Sequence, residues 1–339
     1  MRQLSICFYV AVRDRSLFEL VEFYRQDIQA FQELGHDVRL ANHPLQLRLH
    51  DDMYWVWWPT SGAPAILWAR LCRRPVVLLA ATSDRDTSMA GLPAQPAWKR
   101  AAAKLSFQLA DLTLVPSEDT QLGLRRYKVR ALRTAPLAVD TDFYRPGSAP
   151  DGSPYVLTIS HLTSDNVERK RLLDVVRTAA ELRERDSQLR LVIVGGYEDG
   201  IAAVKEEIAR LNLHDTVTLT GRISAEEKRR LLQGASVYLQ PSQYESFGVA
   251  IAEAMACGTP VVSNAVGAVP DVVGDAGALL RPDATPAEFA AAVLELSVRG
   301  GGMQAKRSRA RVVKKFSYEA RKERIGEAIQ DVLRRREFR

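Results

Sequence analysis

The sequence predicts an α/β protein of two domains, each built on its own parallel sheet. Three observations predict it. Short apolar runs alternate with amphipathic stretches of helical spacing along most of the chain, as strands and their covering helices do. At 339 residues the chain exceeds one ordinary compact domain of roughly 100–200 residues. And the stretch Asp140 to Pro154, with Pro146, Gly147, Pro150, Gly152 and Pro154 closely spaced, has a linker's composition and divides the alternation in two.

In the first half, Leu4–Val12, Asp37–His43, Met53–Trp58, Pro75–Ala81 and Leu112–Ser117 read as strands, and Leu17–Leu34 as a helix closed by Gly35. In the second half the strands are Tyr155–Ser160, Leu189–Gly196, Thr216–Gly221, Val237–Ser242 and Pro260–Asn264, with helices at Arg171–Arg185 and Ile201–Leu211. A glycine run at Gly300–Gly302 precedes a helical tail with Phe316, Ile325, Ile329 and Val332 on one face, a spacing that means docking against protein. The expected division is 1–147, 148–315 and a tail of 316–339.

Composition narrows the class. Hydrophobic residues make up 46% and charged residues 26%, and no stretch approaches the ~20 apolar residues of a membrane span. The first apolar run soon meets Arg13, Asp14 and Arg15 without a small-residue cleavage site, so it reads as a strand and the chain is expected in the cytoplasm. Cys7, Cys72 and Cys257 lack the spacing of a disulfide framework or zinc site and are expected reduced and buried. The net charge of +6, much of it between Lys306 and Arg339, suits anionic lipid, a phosphorylated ligand or nucleic acid. No zinc-finger spacing or basic-aromatic signature supports nucleic acid, which is not expected as a partner.

The most informative stretch is Pro241 to Val273. A polar loop joins a strand to a helix expected to begin near Phe247, and Gly248 lets the backbone approach a ligand. Unpaired amides at the positive end of a helix favour a diphosphate. Glu245 and Glu253 then suit sugar hydroxyls, one on a hexose and one on a ribose. Read from the residues alone, Ser, Glu and Gly here are also ordinary capping residues.

Glu245, seven intervening residues and Glu253, followed by Ala254–Val262 and the Gly267–Pro270 turn, resemble the signature of glycosyltransferase family 4. Leu34–Ala41, Leu109–Glu118, Pro136–Gly147 and Lys314–Ile325 resemble further segments of that family. The resemblance implies a GT-B fold: two Rossmann-like domains facing a central cleft, with the C-terminal helix crossing back to the first. It implies retaining transfer of a hexose-type sugar from a nucleoside diphosphate donor, without a metal or cofactor, to a hydroxyl acceptor such as a lipid-linked or cell-envelope glycan. Residue by residue, Glu253 would take the ribose hydroxyls, while Glu245, Ser246 and the backbone of Phe247, Gly248 and Val249 would take the hexose.

The sequence departs from the family in places. Ser160 and His161 stand where members carry a Gly-Arg pair, and the cations expected at the diphosphate are Lys170, assisted by Arg169 or Arg171. These three read as a helix start, where the dipole disfavours cations unless an anion sits there; a solvated charged surface is the plainer reading of each. His161 either donates one hydrogen bond to the diphosphate or is structural. The first domain lacks the paired glycines and the His that many members place by the donor; Thr82, Ser83 and Asp84 occupy that loop, with Asp84 the candidate contact to acceptor or donor. Asp84-Arg85-Asp86 spells a metal-binding D-x-D, but so does Asp140-Thr141-Asp142. Tyr54, Trp55, Trp57 and Trp58 suggest a sugar platform but read better as a buried strand.

No nucleophilic carboxylate stands out, which fits what the resemblance implies, a mechanism in which the departing phosphate takes the acceptor proton on the same face. An epimerase of the same architecture, or a catalytically weak relative that binds the nucleotide-sugar, are the alternatives. Beyond the apolar stripe, Arg334, Arg335, Arg336 and Arg339 are expected free to meet anionic headgroups, giving weak peripheral membrane contact.

Overall fold

A computed structural model describes the chain except residues 1, 87, 89–90, 148–153, 186–187, 300–301 and 338–339. Much of the linker, from Ser148 to Ser153, and the terminal Arg339 therefore lie outside the described residues. The chain divides into two compact units, Met1–Ala138 with Tyr318–Arg339, and Val139–Ser317.

The first unit runs β1 (Ser5–Tyr9), α1 (Leu17–Leu20), α2 (Glu22–Glu33), β2 (Asp37–Ala41), β3 (Met53–Trp57), α3 (Ala63–Leu71), β4 (Val76–Leu79), α4 (Ala97–Leu109), β5 (Leu112–Val115), α5 (Glu118–Leu124) and β6 (Leu132–Thr134). All pairings in its six-stranded sheet are parallel, in the order β2-β1-β3-β4-β5-β6. Strands covered on both faces must be apolar throughout, and β3 and β4 are buried at every residue. Tyr54, Trp55 and Trp57 lie in that core, while Trp58, at φ 70°, donates from its indole to Tyr24 Oη at 2.6 Å.

Two expectations here are corrected. The helix expected over Leu17–Leu34 breaks at Val21, whose ψ is 111°. In one continuous helix Phe18 and Tyr24 would project about 120° apart; the break lets both rings meet Phe8, at 6.0 and 6.2 Å. And the sheet gains β6, a short half-buried strand.

The second unit runs β7 (Tyr155–Ile159), α6 (Ser164–Arg169), α7 (Leu172–Arg185), β8 (Arg190–Val194), α8 (Ile201–Arg210), β9 (Val217–Leu219), α9 (Ala225–Gly234), β10 (Val237–Gln240), α10 (Val249–Ala256), β11 (Val261–Asn264), α11 (Val269–Val273), β12 (Ala278–Leu280), α12 (Pro286–Arg299) and α13 (Met303–Phe316). Its six-stranded parallel sheet has the order β12-β11-β10-β7-β8-β9. Here β12 is the strand the sequence did not reveal. The order reverses direction between β7 and β10, and in such sheets ligands bind beyond the carboxyl ends of the strands at that switch.

The boundary between the units falls after Ala138 rather than near Gly147. Arg309 explains it: its guanidinium donates to the carbonyls of Thr141, Tyr144 and Ala256 at 3.1, 3.0 and 2.8 Å, fastening this stretch to the C-terminal end of α10. The tail is also two helices. Ser317 separates α13 from α14 (Tyr318–Glu337), so Phe316 does not share a stripe with Ile325, Ile329 and Val332. Phe316 meets Phe247 at 5.4 Å within the second unit, while the other three are buried with α14 in the first. There Arg321, almost fully buried, donates to Asp27 at 2.9 and 3.1 Å and to the carbonyl of Ala135 at 2.8 Å. Of the terminal arginines, Arg335 pairs with Asp331 at 2.9 Å. No helix among the described residues is long and apolar enough to cross a membrane.

Candidate functional site

The switch point brings together the segments after β7 and β10. Gln240 ends β10, and its amide donates to Glu245 Oε1 at 2.7 Å; Ser242 Oγ donates to the same oxygen at 3.0 Å. Tyr238 Oη donates to Gln240 Oε1 at 2.5 Å, and Ser263 Oγ donates to the Gln240 carbonyl at 2.5 Å. Glu245 is thus the end of a hydrogen-bonded chain rooted in the sheet. Its carbonyl accepts from Ala268 N at 2.8 Å, which draws in the turn at Gly267. A Cβ on Gly267, at φ +49°, would meet that carbonyl oxygen at 2.3 Å, so this approach requires glycine.

The loop after β7 supplies the cations. Thr163 caps α6 by accepting from Asn166 N at 3.2 Å, and the helix ends at Arg169 with Lys170 as its C-cap. The expected helix start at these cations is therefore corrected: Arg169 and Lys170 sit at a helix C-terminus, where the dipole favours positive charge. Arg169 Nη1 donates to the Tyr244 carbonyl at 3.1 Å and lies 3.5 Å from Glu245 Oε1, while the Arg169 carbonyl accepts from Gln243 N at 2.7 Å. Lys170 Nζ lies 3.9 Å from the same carboxylate oxygen. Burial pushes the Lys170 ammonium below its ordinary value; Glu245 acts against this and Arg169 with it.

Arg171 is not brought to this cluster. At φ 52° it turns into α7, bonds Asp174 at 2.7 Å and the carbonyls of Pro282 and Ala284 at 3.0 and 2.7 Å, and lies over the Phe289 ring. These contacts commit it to holding the loop after β12. His161 is largely exposed, with Nδ1 3.4 Å from Glu198. The preceding Ser160 is buried, and its Oγ donates to the His161 carbonyl at 2.9 Å.

The helix expected near Phe247 begins at Val249, with Gly248 in the N-cap position at φ +89°. No side chain caps it, so its first amides remain available to an anion. Ser246 is half-buried beside Phe247 and Gly248. Glu253, one turn into α10 and buried, pairs with Lys228 Nζ of α9 at 2.6 Å. Lys228 also stands 4.9 Å from the Tyr144 ring. Sequence reasoning missed Lys228, since it sits in the charged run Glu226 to Arg230 that reads as a solvated helix face. Gln240 and Ser242 were missed too, although both lie within the motif's reach.

Asp84 belongs to the first unit, where its carboxylate accepts from Tyr127 Oη at 2.5 Å and pairs with Arg126. Its D-x-D neighbours are committed elsewhere: Arg85 pairs with Asp119 at 2.5 Å, and Asp86 accepts from Ser88 Oγ at 2.6 Å. Among the described residues no group of three or more His, Cys, Asp or Glu is placed to hold a metal.

The two doubly wound units define the GT-B class of glycosyltransferase folds, with the site in the second. The family profile of the group 1 glycosyl transferases matches residues 153–298, which span that site. Over that stretch the chain is similar to this family. Among curated relatives it is 32% identical over 188 residues to the MMP α-(1→4)-mannosyltransferase of Mycolicibacterium hassiacum, covering 55% of this chain and 44% of the relative. It is 29% identical over 277 residues to the D-inositol 3-phosphate glycosyltransferase of Nocardiopsis dassonvillei, covering 73% and 62%. The chain thus spans less than two thirds of either relative's length. Among solved structures it resembles sucrose-phosphate synthase from Thermosynechococcus elongatus, with a TM-score of 0.79, 20% identity and coverage of 98% and 99%. Anabaena HepE in complex with UDP-glucose gives a TM-score of 0.78, 19% identity and coverage of 97% and 100%. At such identities the likeness is one of fold.

Proposed function

We propose that the protein is a family 4-type retaining glycosyltransferase that moves a hexose from a nucleoside diphosphate donor to a hydroxyl acceptor. The observation that carries this reading is the convergence of Glu245, Arg169 and Lys170 with the uncapped start of α10 at the switch point. Glu253 would accept from the ribose hydroxyls. Glu245, Ser246 and the amides of Phe247, Gly248 and Val249 would hold the hexose. Lys170 and Arg169 would bear the diphosphate charge. UDP-glucose in the structurally similar HepE supports a nucleotide-sugar donor, and the inositol phosphate named for one relative supports a polyol-type acceptor hydroxyl; a lipid-linked or cell-envelope glycan would present the same group.

In the transfer, the bond from the sugar carbon to the diphosphate oxygen breaks. The acceptor oxygen bonds to that carbon on the same face, and its proton passes to the departing phosphate. The protein contributes position and charge stabilisation, Lys170 and the helix amides meeting the charge that grows on the leaving group. No metal is assigned a step.

A panel of UDP-, GDP- and ADP-sugars, scored by thermal shift and then for transfer or slow hydrolysis, tests this. One donor class should stabilise the protein and be consumed. Epimerisation without acceptor, or tight binding with neither transfer nor hydrolysis, would replace transfer with another function of the same site; no stabilisation by any donor would overturn the donor assignment.

A further inference from the structure

The first unit carries a feature that the donor site does not use. Helices α3 and α4 pack on each other, and neither contains a carboxylate: Ala63–Leu71 carries Arg70, which is paired with Asp111 at 2.8 Å, and Ala97–Leu109 carries Lys99, Arg100 and Lys104. Each also exposes an apolar stripe. Leu67 and Leu71, one turn apart on α3, are 41% and 80% exposed; Trp98 and Leu105, two turns apart on α4, are 66% and 40% exposed. Large apolar side chains set among cations on helices lying along a surface are the composition of an interfacial helix.

Beside α4 lies a cavity of about 360 Å³ lined by Arg100, Lys104, Arg126, Tyr127 and Asp84. Asp84 is committed to Arg126 and Tyr127. Arg100 donates to the Pro93 carbonyl at 3.2 Å, but neither Arg100 nor Lys104 has an ion-pair partner among the described residues. The cavity therefore presents uncompensated positive charge beside the helix that carries the exposed Trp98, a match for a phosphate headgroup with its acyl region alongside.

We propose that the α3–α4 face docks on an anionic bilayer, with Trp98, Leu105, Leu67 and Leu71 at the interfacial level and a lipid phosphate in the Arg100–Lys104–Arg126 cavity. This places the membrane contact away from the C-terminal arginines. Right-handed crossovers put α3 and α4 on the face of the sheet opposite α2, because β1 to β2 and β3 to β4 to β5 run in opposite directions across it. The terminal helix α14 packs on α2.

The test is co-sedimentation of the full chain with vesicles of phosphatidylglycerol and phosphatidylcholine, against phosphatidylcholine alone. The unsubstituted protein should bind the anionic vesicles and release at high salt. Arg100→Ala/Lys104→Ala should lower the partition coefficient roughly thirtyfold, the factor to which ~1 kcal/mol per cation converts. Trp98→Ala should weaken binding with the charges intact, and Arg334→Ala/Arg335→Ala should leave it unchanged. Thermal stabilisation by UDP, retained in all variants, keeps folding and the donor site separate from the outcome. Anionic vesicle binding undiminished in Arg100→Ala/Lys104→Ala, binding lost with the terminal arginines, or stabilisation by inorganic phosphate without vesicle binding would each overturn the proposal.

Discussion

Replacing Glu253 by Gln isolates the charge of the carboxylate assigned to the ribose. Gln keeps the side chain's volume and one carbonyl acceptor. Hydrogen bonds to a charged group contribute ~1.5–3 kcal/mol and neutral ones ~0.5–1.5. Two ribose hydroxyls donating to a neutral amide therefore lose about 2–3 kcal/mol, or ~30- to 150-fold in affinity for the nucleoside diphosphate. The change also leaves Lys228 without its partner at 2.6 Å. That side chain is 23% exposed, so it keeps some water and the stability loss should be modest, about 1–2 kcal/mol rather than the larger penalty of a fully buried stranded charge. Isothermal titration with UDP, alongside a melting curve, separates the two effects. A folded Glu253→Gln protein that binds UDP as tightly as the unsubstituted one would refute the ribose assignment.

Further outcomes follow from the same contacts. The Lys170 ammonium is held below its ordinary value by burial, so in the free protein stability should rise as pH climbs through the lowered folded value, while diphosphate affinity should fall over the same window; Lys170→Arg, which stays charged, should flatten the affinity profile measured by titration at several pH values. Gly267→Ala forces a Cβ onto the Glu245 carbonyl and should cost at least ~1 kcal/mol in urea unfolding while weakening UDP binding, because the residue that must move carries the site carboxylate. Arg321→Met strands the buried Asp27 and should destabilise by ~3–5 kcal/mol, whereas Asp27→Asn/Arg321→Met should recover much of the loss; equal unfolding midpoints for the two would refute the buried pairing.

Most of the strands that were legible are largely buried, although the part-exposed β2 and β9 were legible too. The continuous apolar run of β3 and β4 leaves no other placement, and the alternation with helices gave the two parallel sheets. By contrast β6 and β12 are short and only half-buried throughout, and Leu132-Arg133-Thr134 has no apolar run to notice. The polar six-residue α6 was missed for a related reason: its start is set by the Thr163 cap and not by an apolar face. That omission reversed the electrostatic reading of Arg169 and Lys170, which looked like the start of the next helix and are the end of this one. Around the site, Glu245, Gly248 and Glu253 were legible because one contiguous loop-and-helix segment holds them. Lys228 comes from a different helix, and a single sequence carries no trace of which solvated-looking lysine folds back onto a carboxylate.

The site holds one more cation than carboxylates, so an anion can take up a cation without leaving a buried carboxylate unpartnered. Arg169, Lys170 and Lys228 face Glu245 and Glu253, so each buried carboxylate has a cation in the free protein. The pairs differ in kind. Lys228 and Glu253 are hydrogen-bonded at 2.6 Å, but Lys170 is 3.9 Å from Glu245, within reach of its field and too far for a hydrogen bond. Glu245 does not depend on Lys170, since Gln240 and Ser242 already donate to it. On the proposed reading an arriving diphosphate would take up the Lys170 ammonium, offsetting the desolvation that disfavours its charged form, while Glu245, held by neutral donors, would accept from a sugar hydroxyl. The same arrangement explains why the lysine rather than Arg169 is the cation expected to follow the leaving group: Arg169 is anchored to the Tyr244 carbonyl and to Asn166 at 3.1 and 2.7 Å, and holds the loop on which Glu245 stands.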